Sequence, residues 1–253
     1  YQNLSIQIAT QRLTWLASLP GVVDVSPRPE FKLLDERQGQ IMAGNLNAGG
    51  TAPSAPGYLS WLINKGFSND PNNYPIVDVT DDGIDNGSAT PTHADFYRLG
   101  TISQGDRLIY NYNWTSDPSA DGGGGHGNLN AAVVAGYNNL TGNTYRDPLG
   151  YQRGLGINPF GRVAGSKVFT NSGSWDFSDP FSILVSNSYN LGARISTNSW
   201  GSSTNGAYNQ DDQAYDALVR DAAPSIAGNQ PITVLFAAGN DGPNPNTTGS
   251  PGN

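Results

Sequence analysis

Cysteine is absent from this chain of 253 residues, which excludes a disulfide framework, a thiolate metal site and a cysteine nucleophile. Stability therefore rests on core packing, helped at most by a bound cation. Charge is scarce too: Asp, Glu, Lys and Arg make up 13% of the residues, and the net charge is −8. Without a basic surface to neutralise phosphates, nucleic acid and anionic membranes are poor partners. No apolar run approaches the roughly 18 residues of a membrane span. Tyr1 opens no signal-peptide pattern, as in a cytoplasmic chain or one whose leader has been removed. Histidine occurs only twice, at His93 and His126. Gly, Asn, Ser and Thr are plentiful, a composition that suits a secreted protein with long polar loops. The length is enough for one sizeable core plus a small accessory segment.

The first 45 residues read as a β-α-β element. LSIQI alternates like a strand, Arg12 to Leu19 places Leu13, Leu16 and Leu19 on one helical face, and VVDVSP supplies a second strand. Pro20 and Gly21 stop the helix. The Gly/Ala/Pro-rich stretch MAGNLNAGGTAPSAP opens a linker or surface arm over 46–75, and the main domain follows over 76–253. In that domain apolar strands ending in Gly, Asp or Asn alternate with small-residue helices, the pattern of a parallel α/β sheet. Strands are predicted at YPIVDVTD, RVAGSKVF, ARISTNSW and ITVLFAAGN. Helices are predicted at Asn128 to Tyr137, Phe181 to Tyr189 and Gln213 to Ala223, the last with Tyr215, Leu218 and Ala222 on one face.

Three places in this domain carry chemistry. Asp81 ends the IVDVTDDG strand, at the carboxyl edge where open parallel sheets place reactive groups; the same Asp-Asp-Gly also reads as a plain turn. His126 lies in DGGGGHGNLNAAVVAG, at the head of an Ala/Val helix that holds an imidazole rigidly enough for general-base work. A Gly-rich loop with an incidental surface histidine is the simpler reading of that segment. Asn240 follows the strand ITVLFAAG, where a side-chain amide can donate to a developing oxyanion and Gly239 permits close approach of a substrate. Alone, that motif is just as well a strand stop.

Jointly these segments resemble the subtilisin-like serine peptidases, whose triad runs in the order Asp, His, Ser. VTDDGID resembles the family's Asp box, in the register that makes Asp81, rather than Asp82 or Asp85, the residue orienting the histidine. THADF resembles its His-Pro-Asp-Leu stretch, which makes His93 structural and leaves His126 as the base. HGNLNAAVVAG resembles the His box, and GINPFGRVAGSKVF the strand region after it. NSWG resembles the segment whose backbone binds substrate as an added strand, through Ser199, Trp200 and Gly201. FAAGNDG resembles the oxyanion motif of Asn240, and SPGN the stretch after it. Residues 1–45, with LASLPGVVDVSP, resemble the tail of a family propeptide. The resemblance implies a three-layer α/β fold, a parallel sheet with helices on both faces, preceded by a small N-terminal α+β propeptide-like segment.

Several positions depart from the family pattern. Asp82 stands where Ser or Thr is usual, Asn128 and Leu129 replace Thr-His in the His box, and Asp78 puts a charge inside a normally apolar strand. No Gly-Thr-Ser-Met-Ala-like box occurs, and Ser250, before a proline and without a following helix, is a poor substitute. The resemblance therefore implies a secreted serine endopeptidase acting on polypeptides, with its nucleophile on a C-terminal remainder outside this chain. Two other functions compete. One is a catalytically inactive pseudoprotease that binds or inhibits peptides; the other is an α/β ligand-binding domain using Trp114, Trp175 and Trp200. The chemistry requires no cofactor. The Asp/Asn-rich loops Asn69 to Asn73 and Asp81 to Asn86, and Asp95 by resemblance, offer oxygens for a structural calcium ion, and no metal ligand set is assigned.

Overall fold

The computed structural model describes residues 6–22, 25 and 35–253. The chain divides into two compact units, Tyr1–Leu33 and Leu34–Asn253. In the first, a 3-10 turn at Thr10–Arg12 runs into helix α1, Leu13–Ala17. The chain then turns at Gly21, whose φ of +89° suits a residue without Cβ. Of the two strands expected here, Ile6 to Ile8 carry no strand, nor do Val22 and Val25. The remaining residues of LSIQI and VVDVSP lie outside the described residues.

Residues 35–75 belong to the second unit, so its compact body begins ahead of the boundary expected near residue 45. Helix α2 spans Arg37–Met42, and the stretch expected as a loose arm carries helix α3, Tyr58–Asn64. Glu36 anchors this helix, because its buried carboxylate accepts from the backbone N–H of Gly57 at 2.8 Å and of Tyr58 at 3.0 Å. Tyr58 and Leu62 then pack against Tyr137 and Phe160. An apolar helical face inside a polar, proline-rich stretch explains the departure from a linker.

The main sheet contains β1 (Ile76–Asp81), β2 (Leu108–Asn113), β3 (Arg162–Lys167), β4 (Ala193–Asn198) and β6 (Thr233–Phe236), in the order β2-β3-β1-β4-β6. All four pairings are parallel. Strands β5 (Ser202–Ser203) and β7 (Gly249–Ser250) form a separate antiparallel pair. Helices α4 (His126–Ala135), α5 (Phe181–Asn190) and α6 (Gln210–Leu218) complete the unit.

The sheet is covered on both faces. Ala131 and Ala135 of α4 pack with Val79, Leu108 and Val163 on one side. On the other, Val185 of α5, Tyr215 and Leu218 of α6, and Ala222 beyond α6 come together. Small residues on α4 let it lie close over β1 and β3, which brings its first residue to the end of β1. The strands and helices predicted for residues 76–253 are all present, but the helix expected over Gln213 to Ala223 runs over Gln210–Leu218, started by the Asn209 capping box, so that Ala222 lies beyond its end. β2 was not predicted: LIYNYN interleaves asparagines with apolar residues, and Asn111 and Asn113 spend their amides on loop carbonyls of Ile84, Ser88 and Asp117.

Candidate active site

β1 ends on Asp81 at the centre of the sheet, and α4 begins on His126. His126 Nδ1 lies 2.7 Å from Asp81 Oδ1 and 2.9 Å from Oδ2. With the proton on Nδ1, the imidazole donates to the carboxylate and leaves Nε2 unprotonated. Asp81 also accepts from Asn130 Nδ2 at 2.8 Å and from the backbone N–H of Asp82 at 2.8 Å. These donors, in addition to the imidazole, hold the carboxylate. Asn130 sits one helical turn past His126, so both side chains share a face of α4. That i, i+4 spacing was the sequence signal for Asn130, which motif reading passed over.

The Asp81 side chain is 4% exposed and that of His126 57%. Nε2 has no hydrogen-bond partner among the described residues, so the imidazole is held on one edge and open on the other. A general base needs this arrangement.

Asp82 has a different task from Asp81. Its Oδ2 accepts from the His126 backbone N–H at 3.1 Å and its Oδ1 from that of Gly127 at 2.6 Å. A carboxylate is thus placed on the first-turn N–H groups of α4, the positive end of the helix dipole. The opposite end is complemented by the buried Arg107. Its guanidinium donates to the carbonyls of Ala135, Asp95 and Gly161, each at 2.6 Å. Burial pulls Arg107 down to about 10, which leaves it cationic at neutral pH. The N–H groups of Gly156, Ile157 and Asn158 take three more carbonyls at that end of the helix. α4 is therefore held at both termini by groups far away in sequence.

The other predicted residues divide between this centre and its surroundings. Burial works to raise the Asp85 carboxyl, but the Thr92 hydroxyl and the N–H groups of Thr92, His93 and Asn86 donate to it and together hold it below the usual range. His93 accepts from the Asp95 N–H at 3.4 Å and takes no part in the Asp81 pair. Asn128 bridges the Asp85 N–H and the Gly122 carbonyl, while Leu129 is exposed.

Ser199, Trp200 and Gly201 follow β4 directly, and their backbone makes no hydrogen bond to other described residues. The Trp200 side chain is spent internally, stacked on Phe181 with centroids 5.9 Å apart, and its Nε1 donates to the Thr80 carbonyl at 3.1 Å. Trp114 and Trp175 likewise make edge contacts with Phe177. Asn240 is exposed four residues past the end of β6, two strands across from β1. That places the end of its strand about 10 Å from the end of β1, on the same carboxyl edge. Ser250 is buried and donates to Asn209 Oδ1 at 3.0 Å, outside the Asp81–His126 pair.

No group of three or more acidic, histidine or cysteine side chains capable of holding a metal occurs among the described residues. Asp70 Oδ1 accepts from the Asn72 N–H, and Asp85 is committed as above.

The sequence profile of the subtilase family, peptidase S8, matches residues 72–253. No curated protein matches the chain. Among solved structures, it is similar to the crystal structure of MycP1 with the N-terminal propeptide removed, at 19% identity and a TM-score of 0.33. That match covers 75% of this chain and 51% of the other, so this chain spans about half of that protein's length.

Proposed function

Since the chain belongs to the subtilase family, we propose that it is the part of a serine endopeptidase that carries the base, the orienting carboxylate and the oxyanion donor. The observation behind this reading is the Asp81–His126 pair, at 2.7 and 2.9 Å, on the carboxyl edge of a parallel sheet. The nucleophile would be a serine on a C-terminal remainder outside these 253 residues.

In the reaction, that serine attacks the peptide carbonyl while His126 Nε2 takes its proton. Asp81 keeps the other proton on Nδ1 and stabilises the imidazolium as it forms. The negative oxygen of the tetrahedral intermediate receives a hydrogen bond from the Asn240 amide. His126 then returns its proton to the leaving amine, and a water repeats the sequence on the acyl-enzyme. The substrate is an extended polypeptide pairing with the free backbone of Ser199 to Gly201, so recognition reads backbone conformation first.

Fluorophosphonate labelling of this chain and of the full-length gene product, with the labelled peptide located by mass spectrometry, tests the proposal. Label on a serine beyond residue 253, lost in His126→Ala, is the expected result. Absence of label from both samples would overturn it and leave a peptide-binding pseudoprotease.

A further inference from the structure

Lys167 is a lysine with no exposed surface, although lysines are almost never fully buried without a partner. It ends β3 at the position that faces Asp81 in register. Its Nζ donates to the Asp121 carbonyl at 2.7 Å and to Asn171 Oδ1 at 2.5 Å, and lies 3.0 Å from Asp117 Oδ2. Asp117 in turn accepts from the Asn171 N–H at 2.8 Å, and Asp121 Oδ2 from Asn171 Nδ2 at 3.0 Å. One buried cation thereby ties down the segment that feeds directly into Gly122–Gly125 and His126.

The glycine run is shaped by what lies on either side of it. A Cβ at Gly123 would strike the Asn171 side chain, and one at Gly124 would strike the Asp82 carboxylate. The run thus passes between the Lys167 network and Asp82, which itself holds the His126 and Gly127 N–H groups. Glycine is needed here for close approach rather than for turn-making alone.

We propose that Asp82 and Lys167 are positioning residues that clamp the Gly122–Gly125 run from its two sides and so set the His126 ring against Asp81. This rests on the reading of His126 as the base. Neither residue touches the substrate; both act through the backbone that carries the imidazole. Displacing a catalytic group by about 1 Å costs on the order of 100-fold in rate.

The test is proton NMR of the 253-residue chain. The Nδ1 proton of His126, shared with Asp81, gives an exchange-protected low-field signal, assigned by its loss in His126→Ala. In Asp82→Asn, an amide of the same size turns a donor toward a helix N–H. The low-field signal should vanish, and the His126 and Gly127 amides should exchange at least tenfold faster, while those of α5 keep their rates. Lys167→Met should act in the same way from the other side. Should that variant fail to fold, Asn171→Ala, which removes a lysine partner lying against Gly123, replaces it. In the full-length peptidase, kcat per folded molecule, with the folded fraction measured on the same sample, should fall 10- to 100-fold with KM unchanged; a merely destabilised variant would lower apparent kcat only in proportion to its folded fraction. A folded Asp82→Asn that keeps the low-field signal and the amide rates overturns the clamp. The fluorophosphonate experiment keeps the two failures apart: a labelled full-length protein with an unaffected Asp82→Asn rejects only the clamp, whereas an unlabelled one rejects the role of His126.

Discussion

The central strand β1 carries two buried aspartates three positions apart, and strand alternation sends their side chains to opposite layers. Asp81 points to the α4 side and meets an imidazole that is open to solvent. Asp78 points to the α5 side, where its partners are hydroxyls: Ser188 at 2.9 Å, Ser166 at 3.1 Å and Thr80 at 3.2 Å. No cation among the described residues faces Asp78, and burial pushes its carboxyl up to about 6 despite these donors. The same residue type on one strand thus becomes an orienting group in one layer and a proton-holding core group in the other. What differs is the partner: a base that can share charge, or hydroxyls that can only solvate it.

Asp81→Asn should break the first half of that contrast with the largest effect. Hydrolysis by the full-length peptidase should drop by about 10⁴-fold in kcat, a magnitude known from serine-peptidase triads, subtilisin included. Asp78→Asn, assayed in parallel for peptide hydrolysis, should stay within about threefold of wild type.

Stability should rank the two aspartates in the other direction. The folded state holds the Asp78 proton up to about pH 6, whereas the unfolded carboxyl releases it near 3.8. Its contribution is therefore complete below the unfolded value and is lost as pH rises through the folded one. By linkage the loss is on the order of 3 kcal/mol at pH 7. Thermal unfolding of wild type and Asp78→Asn between pH 4 and 7 checks this: the wild-type decline over that window should be absent in the variant. Equal slopes would show that the Asp78 carboxyl is not the group responsible.

The smallest effects should separate the partners of Asp78. Ser188→Ala removes a hydrogen bond to the carboxyl and should cost about 1–2 kcal/mol in urea unfolding at pH 7. Tyr110 is buried beside the same carboxyl, where its hydroxyl interacts with Asp78 and Ser188 without the geometry of a full hydrogen bond, so Tyr110→Phe should cost less than Ser188→Ala.

Much of the fold could be read from local pattern. Four strands of the main sheet announce themselves as apolar runs with sharp stops, α5 and α6 show helical periodicity, and α4 shows as a small-residue Ala/Val run closed by Gly136. β2 escaped because its face toward the loops is polar, and α3 escaped because its face is built against Tyr137 and Phe160, far along the chain. The Asp81–His126 pair was legible through motif order, since both residues sit at element ends. Asp82 was visible only as a departure from a family pattern. Its partners lie 44 and 45 residues away, and nothing adjacent to Asp82 specifies a helix end to cap. Lys167 and Arg107 carried no sequence signal for the same reason: a sequence does not show burial of a charge whose compensating carbonyls and side chains come from other segments.

The sequence by itself determined the absence of thiol chemistry, the parallel α/β rhythm, and the candidate residues Asp81, His126 and Asn240, because composition, periodicity and element ends are local properties. Only the tertiary structure decided that Asp82 caps the helix of the imidazole, that Trp200 braces β1 from within an aromatic cluster, and that Lys167 and Asp78 are buried. Those outcomes depend on which elements the sheet order makes neighbours, and on the free energy of removing a charge from water, which distant partners alone can offset.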